Sequence, residues 1–115
     1  MKTESLYKGT AESYIFQLLQ QNGRMYGYEI SKKIKEITNN NLNLPESKLY
    51  PTLHKMEANG LLTPEFEQVG SRLRKYYKLT SKGQKTSMEY LEKLREYIAH
   101  LEKLINLKPA VNHAY

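Results

Sequence analysis

Apolar residues recur along this chain in three different rhythms. From Leu6 to Gln21 the apolar positions are Leu6, Ala11, Tyr14, Ile15, Leu18 and Leu19. From Ala11 onward they step by three and four, which predicts a helix with one apolar face, stopped by Asn22-Gly23. Gly9 weakens the first turn, and residues 1 to 5 are expected to be loose. A second helix is read after Met25-Tyr26-Gly27-Tyr28, where Ile30, Ile34 and Ile37 repeat at four and three. Lys32, Lys33 and Lys35 sit away from that stripe, as a solvated face or as phosphate contacts. Thr38-Asn39-Asn40-Asn41 ends the helix, because asparagine competes with helical hydrogen bonding and accepts turn geometry. Leu42-Asn43-Leu44 alternates and reads as a short strand that joins a later ribbon.

The stretch from Leu44 to Thr80 is the most informative. A third helix is expected from Glu46 to Asn59, broken by Gly60. On a wheel of about 100° per residue, Leu49, Leu53 and Met56 fall together and face a core. Ser47, Pro51, His54, Lys55 and Ala58 fall on the far side, with Lys48 and Tyr50 at the flanks. That outward face offers hydroxyls, an imidazole and two ammonium groups, with acids only at its ends, Glu46 and Glu57. Donors of this kind suit base edges and phosphates in a major groove. Pro51 removes one helical hydrogen bond, but the three core residues form one stripe only if the helix runs through it.

Alternation then takes over. Leu61-Leu62 forms an apolar latch, Thr63 to Gln68 alternates around Phe66, and Val69-Gly70-Ser71-Arg72 is a turn. Arg74 to Thr80 is rich in strand formers, with Tyr77 and Leu79 on one face and Tyr76 and Lys78 on the other. Arg72, Arg74, Lys75 and Lys78 gather at the turn and on the returning strand, as a wing aimed at a phosphate backbone or minor groove. The plainer alternative is an edge strand charged against aggregation.

The final rhythm is longer. Met88, Leu91, Leu94, Ile98, Leu101 and Ile105 recur every three or four residues, a near-heptad stripe, with Ser81 as a candidate cap. A helix from Ser81 to Asn106 is about 39 Å long at 1.5 Å per residue. A domain of this size cannot cover that length, so the stripe calls for a second copy of the chain. The fold class that follows is mainly α with a small β-wing: a winged helix-turn-helix over residues 1–80, a dimerisation helix over 81–107 and a tail over 108–115.

Charge and composition narrow the partners. The chain has 115 residues, with 18 Lys and Arg against 12 acids, a net charge of +6. A basic small domain tends to meet an anionic partner. There is no cysteine and no aspartate, which removes disulfides, thiolate metal sites and cysteine nucleophiles. No apolar run approaches a membrane span, and the N-terminus lacks the apolar stretch of a secretory signal, so a soluble cytoplasmic protein is expected. His54, His100 and His113 stand in no metal-binding spacing, and there is no glycine-rich phosphate loop. Neither an enzyme nor a metal or other cofactor is expected.

Three blocks carry a resemblance. Gly27-Tyr28-Glu29-Ile30, the run from Leu49-Tyr50-Pro51 to Gly60-Leu61-Leu62, and Arg74 to Gly83 (RKYYKLTSKG) are similar to the PadR family of bacterial transcriptional regulators. The blocks occur in the family's order and spacing, and the likeness covers roughly residues 8 to 105. The single C-terminal helix resembles the family's small subgroup. The resemblance implies a winged-helix dimer that represses transcription on a palindromic operator. It puts groove contacts on Ser47, Lys48, Tyr50, Pro51, His54 and Lys55, and wing contacts on Arg72, Arg74 and Lys75. It puts the dimer interface on the first and last helices, here Tyr14, Leu18, Leu91, Leu94, Ile98, Leu101 and Ile105. Pro45 stands where the family usually has a capping Ser or Asn. Some members stack planar drugs between tryptophans of the last helix. This chain has Leu94 there and no Trp, so that pocket does not carry over.

Two further readings use the same elements. Tyr14, Phe16, Tyr90 and Tyr97 lie on the helices expected at the dimer seam, where they line either a site for a small aromatic effector or an ordinary packed interface. A protein-protein adaptor would need an apolar outward face on Glu46 to Asn59, and the sequence does not supply one.

Overall fold

The computed structural model describes residues 11–110. The expectations for residues 1–10, Leu6 among them, and for the tail from residue 111 onward, with His113, lie outside the described residues. The elements are α1 (Ala11–Asn22), β1 (Arg24–Tyr26), α2 (Gly27–Ile37), α3 (Glu46–Ala58), β2 (Leu62–Val69), β3 (Arg72–Leu79) and α4 (Ser81–Ile105). The fold is mainly helical with a three-stranded antiparallel sheet of order β1-β3-β2 and a long C-terminal helix, a winged helix-turn-helix.

One core joins these parts. Ile15, Phe16, Leu18 and Leu19 of α1 meet Ile30 and Ile34 of α2 and Leu49, Leu53 and Met56 of α3, and Met25, Leu62, Tyr77 and Leu79 close it from the sheet. All three helical stripes contribute as their spacing requires, with one exception. Ile37 is 57% exposed, because α2 ends there and Thr38 turns the chain away. The Thr38 hydroxyl donates to the Ile34 carbonyl at 2.8 Å and accepts the Leu42 N–H at 3.1 Å. Asn39 and Asn40 then take φ of 52° and 65°, a left-handed region that asparagine tolerates better than most residues.

This reversal corrects the expectation for Leu42 to Leu44, which is not a strand. Leu42 plugs into the core at 1% exposure. The third strand is Arg24–Tyr26 instead, pairing Arg24 with Lys78, Met25 with Tyr77 and Tyr26 with Tyr76. Three residues between a helix stop and a helix start carry no legible alternation, so their partner decides their conformation.

β2 and β3 pair from Leu62–Leu79 to Val69–Arg72, leaving Gly70-Ser71 as the connection. Gly70 has φ +60°, at the first central position of a two-residue loop, where hairpin geometry favours glycine. Pro64 is tolerated because β2 is an edge strand.

The start of α4 is clamped to the end of α3. Thr80, not Ser81, is the cap: its hydroxyl accepts the Gly83 N–H at 2.9 Å and donates to the Gly60 carbonyl at 2.6 Å. The Thr80 N–H reaches the Leu61 carbonyl at 3.0 Å, and the Lys82 ammonium reaches the Asn59 carbonyl at 3.0 Å. A Cβ on Gly83 would lie 1.9 Å from the Leu61 oxygen, so only glycine permits this approach. One turn on, buried Ser87 accepts from Gln20 at 2.7 Å, and the Tyr90 hydroxyl meets that of Ser13 at 3.1 Å. Among the described residues, the helix leaves this support beyond Leu94.

Candidate nucleic-acid interface

α3 forms despite two prolines. Pro45 stands at the N-cap with φ −64° and ψ 161° and gives no side-chain cap. Its carbonyl accepts the Lys48 and Leu49 N–H groups at 2.9 and 3.2 Å. Glu46 in the first turn complements the positive end of the helix dipole. Pro51 leaves the Ser47 carbonyl without its helical donor, and both residues are exposed, so the loss falls on the solvent side of the helix, where it costs least.

Ser47, Lys48, Tyr50, Pro51, His54 and Lys55 are all exposed, while Leu49, Leu53 and Met56 on the opposite side are at 1% or less. The Tyr50 hydroxyl donates to Glu46 at 2.8 Å, and its ring stacks on His54 with centroids 5.7 Å apart and planes 16° apart. The hydrogen bond to the Glu46 carboxylate, then burial, raises the Tyr50 phenol above its ordinary pKa. Gly27 opens α2 beside this pair, and a Cβ there would meet Tyr50 at 3.4 Å and Glu46 at 3.5 Å. A cleft of about 700 Å³ runs between α3 and the wing, lined by Tyr26, Gly27, Tyr28, Glu46, Tyr50, His54, Arg72, Leu73, Arg74, Lys75 and Tyr77.

The three expected wing cations differ in their surroundings. Arg72 is exposed next to the turn. Arg74 lies on the sheet's outer face, its guanidinium 4.6 Å from the centre of the Tyr26 ring. Lys75 lies on the other face, 3.1 Å from the Glu57 carboxylate and 5.0 Å from the Tyr77 ring centre. Burial pulls the Lys75 ammonium down, but contact with Glu57 and Tyr77 outweighs it and leaves the pKa above its ordinary value. Lys75 therefore enters any DNA contact already paired.

Sequence reasoning missed the outer sheet face. Arg24 reaches Glu67 at 2.6 Å and Glu65 at 3.3 Å, and Lys78 reaches Glu65 at 2.7 Å. Only the β1-β3-β2 order brings Arg24 near these acids, which lie more than forty positions away in sequence. Hydrogen bonding from Lys78, outweighing burial and helped by Arg24, holds the Glu65 carboxyl below its ordinary pKa.

The residues expected at a dimer seam divide. Leu18 is committed to the protomer's own core at 3% exposure. Tyr14 and Leu91 are half-buried against that core, and Leu94 and Leu101 are half-buried. Ile98 and Ile105 are exposed at 45% and 77%. Of the four candidate effector-binding aromatics, Phe16 and Tyr90 meet at 5.1 Å with Phe16 fully buried. Tyr97 is exposed, about 10 Å further along the helix axis. Among the described residues no group of His, Cys, Asp or Glu is arranged to hold a metal, and no helix is long and apolar enough to cross a membrane.

Comparison with known proteins bears on the whole arrangement. The model of the "Transcriptional regulator PadR-like family" matches residues 15–89. An uncharacterized protein of Lysinibacillus sphaericus is 32% identical over 108 residues, covering 93% of this chain and 94% of its own. A transcriptional regulator from Clostridium thermocellum has the same fold at a TM-score of 0.78 and 25% identity, covering 92% of this chain and 100% of its own. A PadR family transcriptional regulator from Eggerthella lenta aligns at a TM-score of 0.76 and 26% identity, over 90% and 88%. This chain therefore belongs to the PadR-like family of transcriptional regulators, a family of non-enzymatic proteins.

Proposed function

We propose that this regulator represses transcription as a homodimer on a palindromic operator, with α3 in the major groove and the wing on the backbone or minor groove. The observation that carries the reading is the division of α3, with six polar, cationic or small groups exposed on one side and three apolar ones sealed on the other. Lys48, Lys55, Arg72 and Arg74 set affinity through phosphates, and Ser47, Tyr50, Pro51 and His54 meet base edges. Lys75, held by Glu57, contributes less. The exposed apolar half of α4 supports the second copy, which sets two α3 helices about one DNA turn, roughly 34 Å, apart.

The test starts from duplexes selected out of a random library, followed by binding against salt concentration. Lys55→Ala and Arg74→Ala should each weaken binding and lower the salt slope by about one. Unchanged affinity and slope in both variants would remove these residues from the interface. Sedimentation should show a dimer at micromolar concentration, and a monomer there would end the two-half-site arrangement.

A further inference from the structure

In the β2–β3 ladder Glu67 stands directly opposite Arg74. Directly opposed partners project from the same face at about 5 Å, close enough for opposite charges to pair. They do not pair. The Glu67 carboxylate lies 2.6 Å from Arg24, which reaches across β3 with its guanidinium 4.0 Å from the Tyr76 ring centre. The other acid on this face of β2, Glu65, is held by Arg24 at 3.3 Å and by Lys78 at 2.7 Å, and Glu29 on α2 acts on Arg74 only through its charge, without an ion pair. Arg74 rests on Tyr26 instead, and Tyr26 meets Tyr76 edge-on at 5.3 Å. Followed from contact to contact, the outer face runs from the carboxylates to Arg24, Tyr76, Tyr26 and Arg74. Cations and aromatic rings alternate, and both carboxylates turn to Arg24 although Glu67 springs from the same rung as Arg74.

We propose that Arg24 is a positioning residue for DNA binding. It occupies the carboxylates that would otherwise neutralise Arg74, and so leaves the Arg74 guanidinium on an aromatic shelf with its charge available to phosphate. An aromatic face attracts a guanidinium weakly, and together with the Tyr76 hydroxyl contact it leaves most of the Arg74 donors and its charge for phosphate, whereas a carboxylate consumes two donors and neutralises the charge. The inference rests on the DNA-binding reading, in which Arg74 is a wing contact.

The experiment compares the intact protein with Arg24→Gln, Glu67→Gln and the double variant, measuring affinity for the selected duplex and its salt slope. Arg24→Gln should weaken binding about tenfold and lower the slope by about 0.9, the signature of one lost phosphate contact. Glu67→Gln alone should change affinity less than about twofold, because its charge is already paired. The double variant should recover to within about threefold of the parent, since the acid directly opposite Arg74 is then gone and Glu65 is still held by Lys78. Equal weakness of Arg24→Gln and the double variant would mean that Arg24 itself touches DNA, which overturns the proposal. Parent-like binding by Arg24→Gln overturns it as well. If Arg24→Gln does not fold, Arg24→Lys keeps a cation on the carboxylates and should bind like the parent, and a weakened but folded Lys variant is again a refutation. A parent protein without salt-dependent duplex binding would sink the DNA-binding reading itself, and this inference with it.

Discussion

The two halves of α4 share one apolar spacing and have opposite surroundings. Over its first turns the helix is fastened by the Thr80 cap, the Gly83 approach to Leu61 and the hydrogen bond from Gln20 to buried Ser87. Beyond Leu94 it carries Tyr97, Ile98, Leu104 and Ile105 largely in the open. A periodic stripe therefore states that a helix has a face to bury, and leaves open against what. The fastened half relies on small and polar residues, where backbone must come close. The bare half relies on bulk, which suits contact with another helix.

The largest effect should come from the joint. Gly83→Ala places a carbon against a backbone carbonyl that cannot swing aside, and should lower stability by about 3 kcal/mol. Melting within a degree or two of the parent would show that the joint yields, and would break the contrast. Next, Ile98→Glu combined with Ile105→Glu should weaken self-association by about a hundredfold, since each loses the burial of an aliphatic side chain. The unfolding of each protomer should stay nearly unchanged, because neither residue supports the core. A large drop in protomer stability, or an unaltered dimer, would mean the bare half is misread. Thr80→Ala removes the cap and its bond to Gly60 and should cost about 1 kcal/mol in denaturant unfolding.

The smallest effect concerns pH on the supported side of the molecule. Glu65 is held below its ordinary pKa, so its contribution is present above the ordinary carboxylate value, about 4.3. It is lost as pH falls through the lower folded value, because the native state then has to take up the proton it had resisted. Glu65→Gln should flatten that acid limb of the stability curve slightly. An unchanged limb would show that the exposed ion pairs on the sheet contribute nothing.

The fold and the outward face of α3 were legible for a common reason. Ile30, Ile34, Leu49, Leu53 and Met56 repeat at the period of their own helix, so burial of one side follows from local geometry. The same wheel sends Ser47, His54 and Lys55 outward. Ile37 broke the pattern because the helix ended beneath it, and Leu42 because a turn rather than a strand delivered it to the core. The wing's basic tip was visible, but the state of its cations was not. Lys75 is paired to Glu57 and Arg74 rests on Tyr26, and both partners come from other elements. Thr80 and Gly83 stood within a recognised block, yet their work lies in contacts with Gly60 and Leu61.

The amino-acid sequence alone determined the helices, the hairpin, the outward face of α3 and the family, because each follows from periodicity or from an ordered run of residues. Only the tertiary structure decided that Arg24–Tyr26 is the third strand, that Arg24 rather than Arg74 takes the acids, and that α4 is fastened, among the described residues, along one half alone. Those outcomes depend on which distant strands and helices come to lie side by side, and register between elements is set by packing the whole core at once.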